Sequence, residues 1–154
     1  MTVMNSLVFD IETVPDLEGG RRLFGLEGLQ DADTADAMFH LRRQESGSDF
    51  LRLHLQRVVA ISCVYRSQDK IAVWSLGDEQ ADEKAIIEKF FHLIDRYSPT
   101  LVSWNGSGFD LPVLHYRSLV HGVVCPRYWD TGNDDKNFKW NNYLSRYHER
   151  HTDV

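Results

Sequence analysis

Asp10 and Glu12, two residues apart in the segment Val3 to Thr13 (VMNSLVFDIET), are the first side chains here whose types and spacing suggest chemistry. On an extended strand, residues two apart project from the same face. The two carboxylates therefore emerge side by side, with Val8 on their face and Leu7, Phe9 and Ile11 on the other. Acids that close resist joint ionisation in a low dielectric unless something neutralises them. A divalent metal does so, because hard cations take carboxylate oxygens. The plainer alternative is that the strand ends there and both acids face water. Asp-x-Glu is a common tripeptide and does not by itself separate the two.

A second acid carries more weight in context. In WNGSGFDLPVL, Asp110 follows a short strand and a glycine-containing turn and opens a helix. Taken singly it reads as a helix N-cap, with Pro112 tolerated in the first turn. That role does not account for Asn105, Phe109 and Asp110 standing together beyond a strand, in a chain whose first strand ends Asp-x-Glu.

The elements that must position these acids follow from periodicity and turn chemistry. The first strand is apolar on both faces, which predicts a place in the middle of a sheet covered by helices. Pro15 and Gly19-Gly20 predict a break, and Asp16 to Gln56 reads as an insertion. One helix is expected within it near Ala32 to Arg43, with Ala35, Met38, Phe39 and Arg42 at helical spacing, ended by Glu45-Ser-Gly-Ser-Asp49. Arg57 to Arg66 and Lys70 to Leu76, joined by Ser67-Gln68-Asp69, predict a hairpin. Asp82 to Ser98 predicts an amphipathic helix, with Ile86, Ile87, Phe90, Phe91 and Ile94 on one face and Glu83, Lys84, Glu88 and Lys89 opposite; Ser98-Pro99 stops it. A strand over Thr100 to Trp104 leads to the 105–108 loop and a helix from Phe109-Asp110 to about His121, closed by Gly122. From Val123 to Tyr147 the chain is irregular and rich in aromatics. Strand, hairpin, helix, strand, helix is the order of an α/β mixed sheet with helices packed on it.

The totals bound the class. The chain has 154 residues, 42% of them apolar and 26% charged, which suits one globular domain of ordinary composition. No apolar run reaches membrane-spanning length and no secretory leader is recognisable, so a cytoplasmic location and no membrane partner are expected. Cys63 and Cys125 sit in apolar surroundings without metal-ligand spacing and read as reduced core residues. A net charge of −6 argues against holding nucleic acid by bulk electrostatics. It leaves room for an acidic site that meets phosphate through metal ions.

On Phe9-Asp10-Ile11-Glu12-Thr13 and Asn105-x-x-x-Phe109-Asp110, the sequence resembles the first and second motifs of the DEDD 3′–5′ exonucleases. It is most similar to the predicted exonucleases related to the proofreading domain of family B DNA polymerases. The resemblance extends through LHLQRVVAISCVY and KWNNYLSRYHERHTDV. It implies a ribonuclease H-like fold and two divalent cations, Mg²⁺ or Mn²⁺, held by four acids, of which Asp10, Glu12 and Asp110 match three. One cation would activate a water and the other stabilise the leaving 3′ oxygen. The implied substrate is a nucleic acid 3′ end, with single-stranded DNA favoured over RNA. Thr13, Asn105 and Phe109 would lie against the terminal nucleotide.

The third motif of the family, Tyr-x-x-x-Asp on a late helix, has no match: no tyrosine here has an aspartate four residues on. His148 to Asp153 has the His-x-x-x-x-Asp spacing of another branch, but the region looks more like a strand whose aspartate lies near the site. The expectation is thus one partial exonuclease domain over residues 1–154, incomplete at its C-terminus and weakly active or inactive alone. The alternative is a non-catalytic nucleic-acid-binding or interaction module that keeps the fold and lacks the fourth ligand. Lys136, Lys139, Trp140, Tyr143 and Arg146 interleave basic and aromatic residues. Lys139 and Trp140 would stack on and neutralise an entering strand, or the segment is a loop pinned over the core by its aromatics. His54, His115 and His121 read as surface or packing residues.

Overall fold

The computed structural model describes residues 5–78 and 80–154; Val3 and Met4 of the expected first strand lie outside them. The chain divides into two compact units, one made of the segment up to Glu12 with Val58–Val154, the other of Thr13–Arg57.

In the larger unit, β1 (Ser6–Pro15), β2 (Gln56–Arg66), β3 (Ile71–Leu76), β4 (Thr100–Ser103) and β5 (His151–Asp153) form one sheet in the order β3-β2-β1-β4-β5. The expected hairpin is present: β2 and β3 pair antiparallel from Ile61↔Leu76 to Arg66↔Ile71, and Ser67 N–H closes on the Lys70 carbonyl. β1 pairs parallel with β4 (Leu7↔Leu101), and β4 parallel with β5 (Leu101↔His151, Ser103↔Asp153). The sheet is therefore mixed, with β1 at its centre, and with its helices it has the ribonuclease H-like α/β architecture that was expected.

The centre of the sheet is less enclosed than its apolar sequence predicts. Leu7, Phe9 and Ile11 are buried, whereas Val8 is 42% exposed and Asp10 and Glu12 face solvent. The cause is one-sided cover. α3 (Glu83–Tyr97) lies on the Phe9 side, its Phe90 ring 4.9 Å from that of Phe9. α4 (Asp110–His121) packs on α3. Ile86, Ile87, Phe90, Phe91 and Ile94 fill this core as their spacing predicts, and Ser98, in a left-handed conformation (φ 42°), stops α3 before Pro99. Gly122 (φ 64°) ends α4 as expected. Glu83 departs from the reading: it is 4% exposed, not on a solvated face. Cys63 and Cys125 are free and buried, and burial pushes both thiols up to about 12.

The smaller unit is the stretch read as an insertion, and it holds two helices where one was expected. α1 (Leu17–Phe24) contains Gly19 and Gly20, the pair expected to break structure. Two local gains outweigh the low helix propensity of glycine. Asp16 Oδ1 accepts from Gly19 N–H at 3.0 Å as an N-cap. Gly20 lets α2 (Asp31–Ser46) come close, since a Cβ there would sit 2.3 Å from Met38 Sδ. Gly47 (φ 75°) ends α2 inside the predicted terminator. Met38, Leu51 and Leu55 form the local core, with Leu17, Leu26 and Phe39 against it. Among the described residues no helix is long and apolar enough to cross a membrane.

Candidate active site

Asp10 and Glu12 emerge from the same face of β1, as strand parity requires, and both are exposed. Asp110 is different. It is the first residue of α4, only 3% exposed, and it is not the N-cap, a position that Phe109 occupies. Its Oδ1 instead accepts the Ile11 N–H at 3.1 Å, which ties the start of α4 to the β1 segment between Asp10 and Glu12. Burial raises the pKa of Asp110. The Ile11 N–H opposes that shift, and the nearby charges of Asp10 and Asp153 add to it.

Asp110 is aimed by the 105–108 loop. Asn105 takes a left-handed conformation (φ 52°), and its carbonyl accepts from Gly108 and Phe109 N–H. A Cβ on Gly106 would lie 1.9 Å from Ser103 Oγ, so only glycine fits. The Gly106 carbonyl then accepts Leu111 N–H at 2.9 Å, fastening the loop to the first turn of α4.

β5 borders this loop. Asp153 Oδ1 and Oδ2 accept from Gly106 N–H and Ser107 N–H, each at 3.0 Å, and His151 Nε2 lies 2.7 Å from Ser103 Oγ. These bonds hold the Asp153 carboxyl below its usual range, with that to Ser107 foremost. Residues 151–153 form a strand with its aspartate beside the site, as their resemblance implied, not a helix bearing a third motif.

The remaining expected residues fare unequally. Thr13 donates its hydroxyl to Gln56 Oε1 at 2.9 Å, a bond within the smaller unit. Both readings of the basic–aromatic segment find support in it. Phe138 and Tyr143 are buried, and the Tyr143 hydroxyl bonds to the Pro99 carbonyl at 2.6 Å. Trp140 is 76% exposed with Lys139 Nζ 5.0 Å from its ring centre. Between α4 and this segment lies an open cleft of about 630 Å³ lined by Ser107, Leu111, His115, Arg146 and Asp153 among others, but not by Lys139 or Trp140. His115 packs against Tyr128 and Trp129, and burial lowers its pKa to about 4. His121 is an ion-pair partner of Glu83, at 2.6 Å.

Among the described residues, no lysine, arginine or histidine forms an ion pair with Asp10, Glu12 or Asp110. Nor do three or more His, Cys, Asp or Glu side chains converge as a ready-made ion cage. The donors that are present are all carboxylate oxygens, the type that suits Mg²⁺ or Mn²⁺. Their negative charge is otherwise uncompensated.

Comparison with known proteins bears on this arrangement. Residues 48–154 match the model of a family described as predicted 3′–5′ exonuclease related to the exonuclease domain of PolB. The matched span takes in the 105–108 loop, Asp110 and Asp153; Asp10 and Glu12 precede it. Over 43 residues the chain is also 44% identical to the catalytic polypeptide of DNA polymerase epsilon from Saccharomyces cerevisiae. That stretch covers 27% of this chain and 2% of the yeast protein. With more than half of its length in the family match and a mixed α/β sheet to carry it, the chain belongs to the predicted 3′–5′ exonucleases related to the exonuclease domain of PolB.

Proposed function

We propose that the chain hydrolyses phosphodiester bonds at nucleic acid 3′ ends, single-stranded DNA before RNA, with Asp10, Glu12 and Asp110 holding two divalent cations, Mg²⁺ or Mn²⁺. The observation that carries this reading is Asp110: a buried carboxylate, flanked by the charge of Asp10, with no cation of the protein to balance it. When bound, such cations neutralise the acids, activate a water and stabilise the leaving oxygen. The protein's own contribution is positional. The Ile11 N–H fixes one Asp110 oxygen, and β1 presents Asp10 and Glu12 on an open face where a phosphate can approach. Asn105 and Phe109 shape the turn before Asp110. Lys139 and Trp140 offer charge and a stacking surface to the incoming strand. Thr13 belongs to the reading only as part of the first motif, since its hydroxyl is already engaged. The same proposal includes a cytoplasmic setting, with which the free thiols agree.

The second reading, a non-catalytic nucleic-acid-binding or interaction module, is favoured by one observation, the lack of a preformed three-ligand cluster among the described residues. Calorimetry with Mn²⁺ and digestion of a 3′-labelled single strand separate them. Two-site Mn²⁺ binding that Asp110→Asn abolishes, with hydrolysis falling on the order of a hundredfold or more, supports the nuclease. Binding of single strands with neither Mn²⁺ uptake nor hydrolysis supports the module.

A further inference from the structure

The hydrogen bonds of Asp153 do more than border the site. Two successive amides, Gly106 N–H and Ser107 N–H, point at one carboxylate, an anion-binding nest filled by the chain's own side chain. The parallel register Ser103↔Asp153 and the bond from Val154 N–H to the Ser103 carbonyl hold that carboxylate in place. From Gly106 the connection runs on to Leu111 N–H in the first turn of α4, and from Asp110 to Ile11 N–H. A continuous path of hydrogen bonds thus joins β5 to the acid opposite β1.

We propose that Asp153 is a positioning residue, whose carboxylate sets the 105–108 loop and through it aims Asp110 at Ile11 and the Asp10 side. Its two oxygens each serve a backbone N–H, so it acts on Asp110 through the loop and not as a cation ligand. This rests on the nuclease reading only for the purpose that the aim serves; the aim itself is a property of the fold.

Asp153→Asn tests it, because an amide nitrogen cannot accept from an N–H and leaves one loop amide without its partner. Exchange of individual amides, followed by NMR in chelator, is expected to rise about tenfold at Gly106 and Ser107 and, decisively, at Ile11, while the β2–β3 hairpin amides stay as they were. Unchanged Ile11 exchange, with or without faster loop amides, overturns the proposal, since a purely local role would leave that remote amide alone. If the asparagine variant fails to fold, Asp153→Glu keeps the charge but moves the acceptors, and the same pattern is expected from it. Mn²⁺ affinity is a separate readout, expected to fall roughly three- to tenfold in Asp153→Asn. A wild-type protein that takes up no Mn²⁺ sinks the nuclease reading, and the Ile11 amide still decides the role of Asp153.

Discussion

Glu83 and Asp110 both lie almost wholly out of solvent in the same unit, yet the fold treats them in opposite ways. Glu83 Oε1 accepts from Val58 N–H and Arg117 Nε, each at 2.8 Å, and Oε2 meets an Arg117 guanidinium nitrogen at 2.5 Å and His121 at 2.6 Å. Both oxygens are saturated, by a cation, an imidazole and a backbone donor. Asp110 has the Ile11 N–H and, as neighbours, two further negative charges. A buried acid that is fully paired ties elements together, here the start of α3 to the last turns of α4. One left without a counter-charge raises the energy of its ionised form, and that is tolerable where a ligand supplies the missing charge. The contrast marks Glu83 as architecture and Asp110 as a site.

The largest effect should come from breaking the satisfied member. Arg117→Met leaves Glu83 buried with its main partner gone, and urea unfolding should show a loss of about 3–5 kcal/mol. A loss under about 1 kcal/mol would mean that His121 and Val58 suffice and that the pairing matters less than its geometry suggests. Next, supplying the absent charge should stabilise the unsatisfied member: Mn²⁺ at a hundredfold its Kd should add about 2.7 kcal/mol to the wild type and nothing to Asp110→Asn. In chelator the order of the two proteins should reverse, with Asp110→Asn more stable than wild type by about 1 kcal/mol or less, because a neutral amide keeps an acceptor for Ile11 and is cheaper to bury. The smallest effect is one of pH. The folded-state pKa of Asp110 is raised, so its stabilising contribution is full below the ordinary carboxylate pKa and is lost as pH rises through the raised value. Metal-free wild type should therefore gain on Asp110→Asn as the solution is acidified, in melting curves taken from about pH 7 to pH 4. Asp153, with a lowered pKa, should work the other way, its contribution present above the ordinary carboxylate pKa and lost as pH falls through the lowered one.

Much of the frame is legible in the residues themselves. The hairpin, α3, α4 and their stops follow from apolar spacing and from Ser98, Gly122 and Gly47, since these signals act within a few residues of chain. What is not legible depends on partners far along the chain. Gly19 and Gly20 look like breakers until Asp16 caps the one and Met38 packs on the other. Glu83 reads as surface because its periodicity neighbours are Lys84 and Glu88; its burial follows from Arg117, 34 residues away. The same holds at the site. The residue types of Asp10, Glu12 and Asp110 suggest their chemistry, but that Asp110 would turn from its own helix to the backbone of β1, or that Asp153 would hold the turn before it, needs the sheet order.

The alternation along β1 carries one last implication, for how this segment tolerates changes of length. Inserting or deleting a single residue between Leu7 and Ile11 would invert every facing after it, driving the carboxylates into the core and turning Phe9 or Ile11 outward. A two-residue change would preserve the sidedness and cost only alignment with β4. The first motif is thus guarded by parity as much as by chemistry, and odd-numbered length variants of this strand should be the rarest survivors of random mutagenesis.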